Sequence, residues 1–356
     1  MLPFTLKTFT DSGCCTHLIG CRATHQALLV DPKLGKRASY LDTANKFGLT
    51  IVAVLDTHTH ADHLSDSLAF LDAGTELLMS AKTTCKRAHR ALHDGDEVRV
   101  GELSFRVLAV PGHTPDSIAL AGHGLVFTGD SLLVGALARA DFRGSDPKQL
   151  FESVRTKLLT LPDDTVVLPG HGYRDLLFST IGHEKRHNPD LQHANGASFL
   201  RMLGAKAGDG NTPDVELTLQ LNVAAKPALP STPTAAIACC APSTKLAVGP
   251  RPIEKHCEEL AALQPLIAHD RCWIDVRDPH EYREAHIPGA LSYPLSELGF
   301  HLEELRRAGP AVLQCRSGVR SMTAAKTLRY LGVLDEPINL IGGILRWQEL
   351  GLPTER

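Results

Sequence analysis

No apolar run in these 356 residues approaches the roughly 18 that a membrane-crossing helix needs. The first residues, Met1-Leu-Pro-Phe-Thr-Leu-Lys7, lack the charged-then-apolar order of a secretory leader. There is no basic run and no interleaving of aromatic with basic residues. A net charge of −3 gives no electrostatic attraction to nucleic acid or to an anionic membrane. Cys-x-x-Cys pairs are missing as well, and the cysteine count is nine, an odd number. That argues against a disulfide framework and against a cysteine-rich zinc site. A soluble protein of the reducing cytoplasm is the expectation.

What is present is ordinary in bulk, with 43% hydrophobic and 22% charged residues. The length is large for one core, so two domains are expected. Up to about residue 220, apolar runs alternate with Gly-rich turns. Strands are predicted at 27–30, 51–55, 77–79, 98–100, 105–110, 118–120, 125–127 and 166–168, and helices at 36–47, 64–73, 147–160 and 178–187. Asp146-Pro147 opens the third helix as a cap followed by proline at the first position. Residues 223–252 turn to Ala, Pro, Ser and Thr, with six prolines between 227 and 252, and read as a semi-extended linker. Residues 253–356 alternate again: helix 253–266, strands 273–276 and 311–314, helix 319–331, strand 338–341 and a helix from 344. This is an α/β pattern with a parallel sheet. The predicted domains are therefore 1–222 and 253–356.

Four apolar strands of the first domain run into candidate ligands. One leads into Asp56-Thr-His58-Thr-His60-Ala-Asp62-His63. The others lead into Pro111-Gly-His113, Thr128-Gly-Asp130 and Pro169-Gly-His171. If these strand ends share one side of the fold, the side chains converge. All donors are nitrogen or oxygen, which suits catalytic Zn, Fe or Mn. His89, His93, His123, His183, His187 and His193 lack that context and are expected on the surface.

The Thr-His-x-His-x-Asp-His motif and its partners resemble the metallo-β-lactamase superfamily over about residues 5–200. The resemblance implies an αββα sandwich with a metal site at one edge. Two subfamilies compete. Glyoxalase II-like hydrolases use the full ligand set for two metals. Persulfide dioxygenases are similar but bind one iron, and carried onto this chain its ligands are His58, His113 and Asp130. His60, Asp62, His63 and His171 then become either supporting groups or ligands of a second metal. The segments Arg139-Ala-Asp141-Phe142 and Ser179 to Pro189 look like the dioxygenases. Ala138, Ala140, Gly172 and His17 depart from that family's pattern. Arg139 and Tyr173 are candidate substrate contacts.

At the other end, strand 311–314 delivers Cys315 into Cys315-Arg316-Ser317-Gly318-Val319-Arg320 and then a helix. Such a loop turns backbone N–H groups inward and sets a helix N-terminus behind the sulfur; both stabilise a thiolate or a persulfide. Arg316 and Arg320 add charge for an anionic sulfur donor. Dual-specificity phosphatases use a cysteine-arginine loop too, with a longer ring. Asp275-Val-Arg-Asp-Pro-His-Glu-Tyr282, His286-Ile-Pro-Gly-Ala290 and Gly342-Gly-Ile-Leu-Arg-Trp347 occur around it in order. Together they resemble the rhodanese sulfurtransferases over about 253–356.

The two resemblances together imply a persulfide dioxygenase–rhodanese fusion, because a sulfurtransferase makes the substrate that a persulfide oxidiser consumes. The expected cofactor is Fe(II), one per chain, with Zn as the alternative. The expected small-molecule partners are glutathione persulfide, thiosulfate, glutathione and O₂, with no nucleic acid and no membrane; a homo-oligomer stays open. The competing reading is a glyoxalase II-type binuclear zinc thioesterase with an appended sulfur-transfer or sulfur-sensing rhodanese domain.

Overall fold

The structure is a computed structural model that describes residues 2–71, 74–86, 89–172, 175–204, 213–224, 252–260 and 272–356. The chain divides into two compact units, Met1–Tyr173 with Thr180–Leu246, and Arg174–Ser179 with Ala247–Arg356. Of the predicted linker, residues 225–251 lie outside the described residues. Among the described residues no helix is long and apolar enough to cross a membrane.

The first unit opens with a hairpin that the strand prediction omits, β1 (Phe4–Asp11) and β2 (Cys14–Cys21). Ser12 and Gly13 both take positive φ, the two-residue turn that matches strand twist. Then come β3 (Gln26–Val30), β4 (Thr50–Leu55), β5 (Glu76–Ser80) and β6 (Arg90–Leu92), which complete one six-stranded sheet in the order β1-β2-β3-β4-β5-β6. The second sheet uses β7 (Glu97–Val100), β8 (Leu103–Ala109), β9 (Ile118–Gly122), β10 (Leu125–Gly129), β13 (Val166–Pro169) and the two-residue β14 (Ser179–Thr180). Its order is β14-β13-β10-β9-β8-β7. A small ribbon, β11 (Leu132–Leu133) with β12 (Ala136–Leu137), follows β10.

The strands alternate their burial between two faces. Ala27 and Leu29 pack with Tyr40 and Ala44 of α1 (Arg37–Lys46) and Phe70 of α2 (Leu68–Leu71). On the other sheet, Val126 and Val167 pack with Leu150 and Phe151 of α3 (Pro147–Ser153). Between the sheets, the His17 ring of β2 lies 5.4 Å from that of Phe127 on β10. Helices thus cover the outer faces of two apposed sheets. The Asp146 cap forms, accepting from Gln149 N–H at 3.0 Å. α3 then runs into a single π turn at Val154–Leu158. Of the helix predicted at 64–73, residues 64–67 are not helical, because Ser65 and Ser67 donate to Asp56 instead of facing solvent; α2 begins at Leu68, and residues 72–73 lie outside the described residues.

The second unit carries a five-stranded sheet, wholly parallel: β15 (Ile253–His256), β19 (Ile338–Ile341), β18 (Ala311–Gln314), β16 (Cys272–Asp275) and β17 (Leu291–Ser292), in that order. Here the predicted helix 253–266 is corrected. Residues 253–256 pair with β19 as an edge strand, half-buried and exposed in alternation, and helical geometry begins only at Cys257. An open sheet edge outweighs the weak helix preference of Ile-Glu-Lys-His. Residues 261–271 lie outside the described residues. Trp273 and Trp347, with ring centroids 5.5 Å apart, anchor this core.

Candidate functional site

The loops after β4, β8, β10 and β13 bring their predicted ligands together. Ligand atoms of His58, His113 and Asp130 all lie within 4.8 Å of one another, and all three residues are buried. Asp130 Oδ2 is 3.7 Å from both His58 Nε2 and His113 Nε2. These three atoms make no hydrogen bond. Gly129, with φ +49°, permits the turn: a Cβ there would meet Thr57 Oγ1 at 2.4 Å.

The outer sides of the two rings explain their orientation. Thr57 Oγ1 donates to Asp31 Oδ2 at 2.8 Å, so toward His58 it can only accept, from Nδ1–H at 3.0 Å. His113 Nδ1–H donates to the Arg139 carbonyl at 2.9 Å. In both rings the lone pair is left on Nε2, aimed at Asp130. Burial, helped by the neighbouring His60, pushes His58 down to about 3. Burial opposes ionisation of Asp130, yet His171, His58 and His113 hold its carboxyl far below the usual range. Two inward imidazole nitrogens and one carboxylate oxygen, buried and otherwise unpartnered, fit a transition-metal ion.

His171 is differently placed. Its Nδ1 lies 2.8 Å from Asp130 Oδ1 and its Nε2 2.9 Å from Asp62 Oδ2. Burial disfavours charge on this ring, but the two carboxylates outweigh it and raise its titration well above the ordinary histidine value. The ring thus bridges the Asp130 and Asp62 carboxylates. His63 Nδ1 meets the same Asp62 oxygen at 3.0 Å. Cys14 completes this second group, its Sγ 3.5 Å from Asp62 Oδ2 and 3.7 Å from His63 Nδ1. No motif marks Cys14 in the sequence; the β1–β2 hairpin brings it in. Asp62 Oδ1 and His63 Nε2 stay without hydrogen bonds.

His60 lies in a third group with Asp31 and Asp56, 3.3 Å from Asp31 Oδ1. Burial and His63 push it down to about 4. Asn222, near the end of α6 (Pro213–Val223), donates its amide to the carbonyls of His60 and His63, both at 2.8 Å, and accepts from Ser65 N–H. A long helix far along the chain thus clamps the metal loop, and no local motif marked it. Of the remaining predicted positions, Arg139 is half-buried and its guanidinium pairs with Asp141. Tyr173 lies outside the described residues. His183, predicted at the surface, is buried beside His187, with ring centroids 4.4 Å apart; its N–H completes the Thr180 cap of helix Ile181–His187.

In the second unit, β18 delivers buried Cys315 into its loop as predicted. Gly318 N–H donates to Sγ at 3.1 Å. The carbonyls of Cys315 and Arg316 are drawn away by the N–H groups of Ile344 (2.8 Å) and Leu345 (3.2 Å). Turning those oxygens outward leaves the loop's interior to N–H donors. Gly343, at φ +56°, allows the approach; its Cβ would sit 2.2 Å from the Cys315 oxygen. Arg320 forms a fork with Glu281, two bonds of 2.7 Å. Burial opposes the Glu281 charge, but Arg320 overcomes it and brings the carboxyl down to about 2. Arg316 is exposed.

Comparison with known proteins bears on both halves. The model of the metallo-beta-lactamase superfamily matches residues 16–171, and that of the rhodanese-like domain matches residues 257–350. Human mitochondrial persulfide dioxygenase ETHE1 is 33% identical over 208 residues, covering 57% of this chain and 81% of that protein. The crystal structure of ETHE1 from Myxococcus xanthus is 38% identical with a TM-score of 0.57, covering 62% of this chain and 96% of the other. A metallo-beta-lactamase structure from Staphylococcus aureus covers 95% of this chain and 99% of its own at a TM-score of 0.57; at 24% identity it shows the fold alone. This chain belongs to the metallo-beta-lactamase superfamily, as a homologue of persulfide dioxygenase ETHE1 that also carries a rhodanese domain.

Proposed function

We propose that the chain is a bifunctional enzyme of sulfur metabolism. Its first domain, 1–222, would be an iron persulfide dioxygenase. Its second, 253–356, would be a sulfurtransferase working between thiosulfate and glutathione. The observation that carries the first half is the trio of His58 Nε2, His113 Nε2 and Asp130 Oδ2, buried without hydrogen bonds, beside a His171 already bonded at both nitrogens. These three would hold one Fe(II) as a 2-His-1-carboxylate set with open positions. The likeness to persulfide dioxygenases supports one metal over the pair of a zinc thioesterase.

When bound, the iron supplies the redox chemistry that joins O₂ to sulfane sulfur. The protein's own part is geometric. Thr57 and the Arg139 carbonyl fix the two rings, and His171 fixes the carboxylate. The Phe142 ring, 5.1 Å from that of His113, helps to keep water off that ligand. In sum, glutathione persulfide, O₂ and water become glutathione, sulfite and two protons. Arg139 and Tyr173 are the proposed contacts to the substrate's carboxylates or persulfide.

In the second domain, Cys315 Sγ attacks the outer sulfur of thiosulfate. The bond to the sulfonate breaks, and sulfite leaves with its electron pair. A glutathione thiolate then takes the outer sulfur, the electron pair stays on Sγ, and the released glutathione persulfide is the first domain's substrate. Arg316 supplies charge for the anionic donor, while Arg320 in its fork with Glu281 holds the loop. The test is metal analysis together with O₂ uptake on glutathione persulfide, using protein from iron-supplemented cells. One iron per chain and uptake are expected. Active protein with two zinc ions and no iron would overturn the dioxygenase half.

A further inference from the structure

Ser321 lies in the first turn of the helix Val319–Tyr330 and is fully buried. Its Oγ is 3.4 Å from Cys315 Sγ and 2.7 Å from Oδ1 of Asn339 on β19. Asn339 is buried too. A hydroxyl has one proton, so it can donate to only one of these acceptors at a time. While Cys315 is a thiol, S–H can donate to Ser321 Oγ, and the Ser321 proton goes to Asn339. Once the sulfur is a thiolate it only accepts. The Ser321 proton can then turn to it, beside the Gly318 N–H already at 3.1 Å. A donor to a charged sulfur gains more than a donor to a neutral amide oxygen.

We propose that Ser321 is a positioning residue for sulfur transfer, and that Asn339 competes with the Cys315 sulfur for its proton. The inference rests on Cys315 being the sulfur-carrying nucleophile. It assigns Ser321 a place in both half-reactions. Before attack on the donor, the hydroxyl stabilises the thiolate. In the persulfide the charge moves to the outer sulfur and Sγ becomes a neutral bridge, so the proton returns to Asn339. When the acceptor thiolate takes the outer sulfur, the sulfur–sulfur bond breaks and its electron pair stays on Sγ. Ser321 then donates to that leaving thiolate. The two side chains therefore act with opposite signs: losing Ser321 weakens the thiolate, and losing Asn339 strengthens it.

The test is iodoacetamide alkylation of the full-length chain against pH, with Cys315 followed by mass spectrometry of its peptide. Half-buried Cys272 serves as the internal reference. In Ser321→Ala, Cys315 alkylation near pH 7 should slow about tenfold, while the plateau rate at high pH is unchanged. Ser321→Thr, which keeps the hydroxyl, should restore the profile. Asn339→Leu, of similar size without an acceptor, should shift the profile the other way. A Ser321→Ala profile that superimposes on wild type would overturn the proposal, and so would Asn339→Leu slowing the reaction as Ser321→Ala does. If Asn339→Leu does not fold, the Ser321 pair decides alone. If wild-type Cys315 reacts no faster than Cys272, the nucleophile reading itself fails, which is a different result from a reactive Cys315 indifferent to Ser321.

Discussion

The two candidate sites are built in opposite ways. The metal centre gathers side chains from four strand ends spread between His58 and His171, and its working atoms are ring nitrogens and a carboxylate oxygen. The cysteine loop is one contiguous segment whose working atoms are mostly backbone N–H groups, fixed by a neighbouring helix through Ile344 and Leu345. The first site is therefore sensitive to which side chains are present. The second is sensitive to whether the backbone can keep its path.

The sharpest break should come from Asp130→Ala. It removes the one oxygen that faces both rings and the one that His171 bonds beside them. Metal content and O₂ uptake should fall to background, measured by elemental analysis and an oxygen electrode, while Cys315 alkylation is untouched. Uptake surviving at more than a few per cent would remove Asp130 from the ligand set.

Next in size, Cys315→Ser should abolish sulfur transfer from thiosulfate, because a hydroxyl is a poor nucleophile at neutral pH. Oxidation of preformed glutathione persulfide should stay within about twofold of wild type, since Cys315 is no part of the metal group. A mutant that also lost most of its oxidation rate would break the division into two independent sites.

Gly343→Ala sharpens the contrast, because it leaves Cys315, Arg316 and Arg320 in place. The added Cβ clashes with the Cys315 carbonyl, and the backbone there lies where side chains are strained. A cost of about 1–3 kcal/mol, read by thermal denaturation, should accompany a loss of transfer. At the metal centre the comparable backbone positions are Gly112, directly before His113, and Gly129, directly before Asp130. Asn222→Ala should be milder: the clamp on the His60 and His63 carbonyls goes, and metal affinity should fall roughly 10–100-fold in a chelator competition.

The smallest expected effect is in acid. Glu281, held near 2 by Arg320, contributes stability that is present above the ordinary carboxylate value of about 4.5. That contribution is lost as pH falls from there toward 2. Glu281→Gln should flatten this part of the acid denaturation curve of the full chain, and a curve parallel to wild type would show that the fork contributes nothing.

How much was legible follows from the same contrast. Cys315, Arg316 and Arg320 are neighbours in sequence, so the loop could be read as a unit. The candidate metal ligands were legible as a group because each sits just after an apolar strand and carries a distinctive donor. The N-terminal hairpin escaped because its strands mix Lys, Thr and His with apolar residues, although Ser12-Gly13 was a readable turn signal. With it went Cys14. Asn222 was illegible in principle: an asparagine on a helix has no local mark of the carbonyls it meets 159 and 162 residues away. The strand at 253–256 escaped because pairing with β19, rather than its own composition, makes it a strand.

The hairpin and the Asn222 clamp also set a timetable. The β1–β2 turn is bridged to the His171 loop, with Gly172 N–H on the Gly13 carbonyl and Cys15 N–H on that of Gly170. The last helix among the described residues of this unit then grips the loop that holds the first candidate ligand. Both ends of the domain must be finished before its middle is secured, a topology of high contact order that folds late. During synthesis, which runs from the N-terminus, a chain stopped just before α6 already contains every candidate ligand and still lacks the grip on His60 and His63. Metal capture at this candidate site is therefore expected to follow completion of the domain.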